Sequence, residues 1–210
     1  MTIGKTDIIG KIRKAIDDIA PSLADSFTED TNNELWQATL HAVQQLLMEL
    51  PLPYLAPQTM AVAAGDHTQN ADGSGIIKLN SNFLRFIGLK LTSWPQMLMT
   101  LIEPDSDEAV RQRTLWGRGT PEKPKAMPGY DTTGAQTITY WTAGKSGNSY
   151  NHNIEKLMYI PKATSTTTEI TCALKDIAER IVIARAAYLF FEGKKEMNIA
   201  EKFKEISTNI

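Results

Sequence analysis

A single cysteine, Cys172, leaves no second thiol for an intramolecular disulfide and too few sulfurs for a cysteine-rich metal site. Histidine is nearly as scarce. His41, His67 and His152 are the whole complement, none close to another, so the short-range ligand spacing of a zinc motif is missing. No apolar run reaches the roughly 20 residues that a membrane-spanning helix needs. The opening stretch MTIGKTDIIGKIRKAI alternates charged and aliphatic residues and lacks the apolar core of a secretory leader. The expectation is a protein that stays in the reducing compartment where it is made, unless it is packaged into something that leaves the cell. Charge of one sign is also lacking: a net charge of -2 and a pI near 6.0 disfavour a protein whose main task is gripping nucleic acid with a dense basic surface.

What is present is the composition of a folded protein. The 210 residues are 42% hydrophobic and 22% charged, enough for one core with a peripheral helical element and little large-scale disorder. Ile8, Ile12, Ile16 and Ile19 make one apolar stripe on a helix over 6–20, closed by Pro21. Thr31 with Glu34 reads as a capping box opening a second helix, whose face of Leu35, Trp36, Leu40, Val43, Leu46, Leu47 and Leu50 stops at Pro51 and Pro53. Short extended pieces follow around the polar loop GDHTQNADGSG, then strands at 89–92, 137–141 and 156–160, with a short acidic-started helix over 104–116. RGTPEKPKAMPGY reads as irregular, and GKSGNSYNHN as a long polar loop joining two strands. Leu174, Ile177, Ala178, Ile181, Ala184 and Ala187 predict a buried helix over 171–191, capped by Gly193 and followed by a shorter helix. The expected fold is therefore α+β: a helical bundle from the N- and C-terminal helices with a small antiparallel β region between them. Its parts are N-terminal helices at 1–55, a β-rich middle with a short helix at 56–165, and C-terminal helices with a tail arm at 166–210.

No catalytic, cofactor-binding or metal-binding residues are assigned, and the chain reads as a protein that is not an enzyme and carries no cofactor. Gly144-Lys145-Ser146 repeats the last three letters of a phosphate-binding loop, but Thr139 stands where its first glycine belongs and no helix follows. His41 reads as a helix-flank residue, and Cys172, at a helix start, as a small buried hydrophobe. Asp105, Asp107 and Glu108 read as a solvated helix start. The densest basic and aromatic interleaving is Arg111, Arg113, Trp116, Arg118, Lys123 and Lys125, mixed with Glu103, Asp105, Asp107, Glu108 and Glu122. Cancelled charge around a Trp or Arg anchor fits a protein interface better than a phosphate-binding groove. The acidic stretch from Met1 to Gly75 would repel phosphate if it faced a DNA passage.

The phrases LNSNFLRFIGLKLTSW, RQRTLWGRGTPEKPKAM and ITYW, with the helix from Ile177 to Phe190, resemble the head-to-tail connector (ring or adaptor) proteins of tailed bacteriophages, most closely those of crAss-like phages. The resemblance covers about 60–195, and none of its words is catalytic. It implies a structural subunit of a homo-oligomeric ring of about twelve copies joining the portal protein to a neighbouring tail or ring protein. The ring would line a channel through which double-stranded DNA passes without sequence-specific binding, with no membrane contact. The implied location is the virion connector, assembled in the host cytoplasm. Arg111, Arg113, Trp116, Arg118, Lys123 and Trp141 become the interface candidates, and 194–210 an arm that docks on the portal. A stopper or tail-completion protein, and an enzyme with a dispersed metal or histidine site drawing on His67 and His152, stay open as alternatives.

Overall fold

A computed structural model describes the chain apart from residues 22–26, 71, 113, 115–116, 143–152 and 209–210. Among the described residues there are five α-helices and ten strands in three antiparallel sheets, divided between two compact units, Met1–Ala56 with Pro161–Ile210, and Pro57–Ile160. This corrects the expected layout. Strands are not confined to one small region between terminal helices; they begin at Thr2 and recur among the C-terminal elements.

The first unit pairs β1 (Thr2–Gly4) with β10 (Glu169–Thr171), which pairs in turn with β9 (Thr164–Ser165). These strands have two or three residues each, too short for a local period to announce them; β9 and β10 pair as sequence neighbours, whereas β1 joins β10 across most of the chain. Helix α1 (Lys5–Ile19) buries Ile8, Ile12 and Ile16 of the stripe read from spacing, with Ile9 added and Ile19, at its last position, only half-buried. Helix α2 (Glu29–Glu49) starts earlier than expected: Thr28 is the N-cap, and Thr28 and Thr31 exchange the two capping-box hydrogen bonds.

The helix expected from residue 171 begins only at Glu179 and runs to Gly193 as α4, after a 3-10 turn at Asp176–Ala178. Long-range pairing takes the residues before it: Cys172 N donates to Met1 O at 3.0 Å, Lys175 N to Tyr54 O at 2.9 Å, and Leu174 bridges Leu55. Ile177, expected in the buried seam, is consequently 67% exposed. The expected cap at Gly193 is also displaced. Lys195 is the left-handed residue, with φ 63°, and Lys195 N to Glu192 O and Glu196 N to Phe191 O close a Schellman motif around it. The last helix, α5 (Met197–Thr208), lies against α4, with Phe203 buried and its ring stacked on Phe191 at 6.0 Å. Of the segment for which a docking arm was implied, Met197–Thr208 is thus folded onto its own unit.

The second unit encloses one core between two sheets. One has the order β2-β8-β5, with β2 at Gln58–Thr59, β8 at Ile154–Pro161 and β5 at Phe83–Leu91. The other has the order β3-β4-β7-β6, with β3 at His67–Gln69, β4 at Ser74–Lys78, β7 at Gln136–Trp141 and β6 at Lys125–Tyr130. Leu89, Leu91 and Leu157 from the first sheet meet Ile77, Ile138 and Tyr140 from the second, with Trp94 edge-on to Tyr140 at 6.0 Å. β7 and β8 lie in different sheets and so are not the two strands of one hairpin; the expected polar loop at 144–153 falls almost wholly outside the described residues. The stretch expected to be irregular contains β6, which tolerates Pro128 because it is the edge strand of its sheet.

Candidate functional site

The stretch carrying the interface candidates begins at helix α3 (Asp107–Arg111). Ser106 starts it by accepting from Ala109 N at 3.2 Å and donating to Glu103 O at 2.7 Å. The chain then folds around one amide. Gln112 is 2% exposed. Its Nε2 donates to Glu108 O at 3.2 Å and Gly117 O at 3.0 Å, while its Oε1 accepts from Gly119 N at 2.8 Å. Gly119 must be glycine because a Cβ there would stand 2.6 Å from Trp141 O and 2.7 Å from Lys125 N, which are both backbone atoms.

Arg118 fastens this loop to the turn before β4. Its Nε donates to Gln112 O at 3.2 Å, and its Nη1 to Asp72 Oδ2 at 2.7 Å. Asp72 also accepts from the Ser74 hydroxyl at 2.6 Å and the Ser74 N–H at 3.0 Å. The Ser74 bonds, with Arg118 adding to them, hold the Asp72 carboxyl below the usual carboxylate range. Lys125 pairs with Glu108. The outcome is a surface hollow of about 510 Å³ whose walls include Glu108, Arg111, Gln112, Arg118, Lys123 and Lys125.

The six interface candidates fare differently. Arg111 is exposed at the end of α3, and Lys123 is exposed in a turn closed by reciprocal backbone bonds with Thr120 at 3.1 Å. Among the described residues neither has an ion-pair partner, so both charges face solvent at the hollow. Arg118 lines the same hollow, but its guanidinium is committed to Asp72 and Gln112. Trp141 is half-buried at the end of β7, opposite Lys125 and Ser74 in register and on the face away from Tyr140. Arg113 and Trp116 lie outside the described residues. The residues that hold the site in shape, Gln112, Asp72 and Gly119, were not read from the sequence. Asp72-Gly73-Ser74 carries a recognisable turn signal; Gln112 carries none, since its role depends on burial.

The histidines form no centre among the described residues. His67 Nε2 and the Tyr140 hydroxyl share a hydrogen bond of 2.8 Å. Burial pushes the Tyr140 phenol up, so it stays protonated. Its ring crosses Gly75, where any side chain would collide with it. His41 is exposed on α2, and His152 and the Gly144-Lys145-Ser146 segment lie outside the described residues. Cys172 sits beyond the end of β10 and not at a helix start, and burial raises its thiol. Among the described residues no group of three or more His, Cys, Asp or Glu side chains is placed to hold a metal ion, and no helix is long and apolar enough to cross a membrane. No family model matches the sequence, and no curated protein matches it.

Proposed function

We propose that the chain is a structural subunit of the head-to-tail connector ring of a tailed-phage virion. It repeats around a rotation axis, joins portal to tail, lines a lumen through which duplex DNA passes without sequence recognition, and turns over no substrate. Its partners are copies of itself, the portal and a neighbouring tail protein; it assembles in the host cytoplasm and resides in the virion. The observation that carries this reading is the hollow beside α3. Arg111 and Lys123 project from a backbone pinned by Gln112, Gly119 and Arg118. Charges displayed on a rigid support suit a repeated protein contact, because little ordering cost falls due on association. The surrounding Asp107 and Glu108 moderate the positive charge, which suits partner choice by complementary pairs better than phosphate binding. The words that resemble connector proteins include this same stretch.

The test mixes the protein with its portal and follows assembly by native mass measurement, for the wild type and for Arg111→Glu with Lys123→Glu. Both positions are exposed, so the variant should unfold at the wild-type temperature while losing association. Wild-type assembly in the charge-reversed variant would remove the hollow from the interface.

A further inference from the structure

The open end of the second unit carries a site built from different residues. In β6 the inward pairs are set by its neighbours. Leu79 N donates to Gln136 O at 2.9 Å and Thr142 N to Gly73 O at 3.2 Å, so the even-numbered residues of β7 bond to β4 and the odd ones to β6. Lys125, Met127 and Gly129 therefore face β7, while the backbone of Ala126, Pro128 and Tyr130 points outward from the sheet edge. Ile102 N fills the Ala126 carbonyl at 2.9 Å. Beyond it, the Pro128 carbonyl and both the N–H and C=O of Tyr130 have no backbone partner among the described residues.

The side chains at this edge are as unusual as its backbone. Alternation puts Pro128 and Tyr130 on the same side as Ala126, which is wholly buried in the core, yet Tyr130 is 72% exposed. A core-facing tyrosine standing in solvent means that the two sheets gape here. The gap is a hollow of about 440 Å³ walled by Leu79, Phe83, Leu101, Pro104, Pro128 and Tyr130 among others. Glu103 and Asp105 are exposed on either side of Pro104, which walls the hollow, while the Asp131 carboxylate after Tyr130 is balanced by Lys78 at 3.5 Å.

We propose that the outer edge of β6 from Pro128 to Tyr130 receives an extended segment of a partner protein. The segment adds a strand to the sheet and sets an apolar side chain in the hollow, with Lys or Arg flanking that residue against Glu103 and Asp105. The open carbonyls and N–H provide main-chain affinity, the hollow selects the inserted side chain, and the exposed carboxylates of Glu103 and Asp105 select the flanks.

The experiment selects random peptides from a display library against the immobilised full-length protein and measures the enriched peptides by fluorescence anisotropy. Enriched sequences should alternate apolar and polar residues with basic flanks. Their affinity should fall about tenfold or more in Tyr130→Ala, whose exposed position leaves the thermal unfolding unchanged. N-methylation of the peptide amides facing the edge should produce a comparable loss. The proposal is overturned if nothing is enriched over the Tyr130→Ala protein, if the enriched peptides lack basic residues, or if N-methylation has no effect. Concentration-dependent self-association abolished by Tyr130→Ala would assign the edge to a second copy of the chain and also overturn it. No portal enters the selection, so either outcome leaves the connector proposal standing on its own test.

Discussion

Replacing Gln112 by alanine removes the amide around which the loop beside α3 is folded. Three hydrogen bonds go with it, those to Glu108 O, Gly117 O and Gly119 N. The two carbonyls can turn to water or to other donors, but Gly119 is buried and held against β-strand backbone, so its N–H is left without a partner. A buried donor stranded in this way costs about 1–3 kcal/mol, and each ordinary bond contributes about 1 kcal/mol net. A loss of about 2–3 kcal/mol in the local stability of the loop is expected. That corresponds to roughly 30- to 150-fold faster amide exchange at Gly119. The assay is hydrogen exchange read at that amide, with urea unfolding alongside. Exchange within about twofold of wild type, with a shift in stability under about 0.5 kcal/mol, would show that Gln112 is not the organising group.

Lys195→Gly should stabilise the protein by about 0.5–1 kcal/mol in urea unfolding, because relief of the left-handed backbone outweighs the added freedom of glycine in the unfolded chain. Gly75→Ala should destabilise by about 1–3 kcal/mol as Tyr140 is forced away from His67, seen as a lower unfolding midpoint. Asp131 is held down to about 2, first by the Thr133 hydroxyl and next by the Ala135 N–H. A depressed carboxyl stabilises the folded state above its unfolded value near 3.8, and that contribution fades as pH falls towards 2. Asp131→Asn should therefore flatten the decline in urea midpoint across that window and leave its slope at neutral pH unaltered.

Periodicity made parts of the fold legible and sequence separation hid others. Ile8, Ile12 and Ile16 declared α1 because a helix repeats its contacts every three or four residues, and Ile138 with Tyr140 declared the buried face of β7 by alternation. Nothing local marks β1, since Thr2 finds Thr171 only once the chain has folded. The same pairing withdrew Cys172 and Leu174 from the helix that their spacing suggested, and left Ile177 in solvent. Gly193 misled for a related reason: the Schellman bonds close on Lys195, two residues on, and the chain accepts a left-handed lysine there. At the candidate site, charge and aromatic density singled out the stretch as an interface candidate, and the fold places Arg111 and Lys123 exposed beside a surface hollow there. The roles of Gln112, Asp72 and Gly119 depend on burial and on backbone approach from β6 and β7, which composition does not encode.

The central claim is tested most directly by electron microscopy and native mass measurement of the protein mixed with its portal partner. A closed ring of about twelve copies seated on the portal is the expected result. A protein that stays monomeric with the portal present would contradict it.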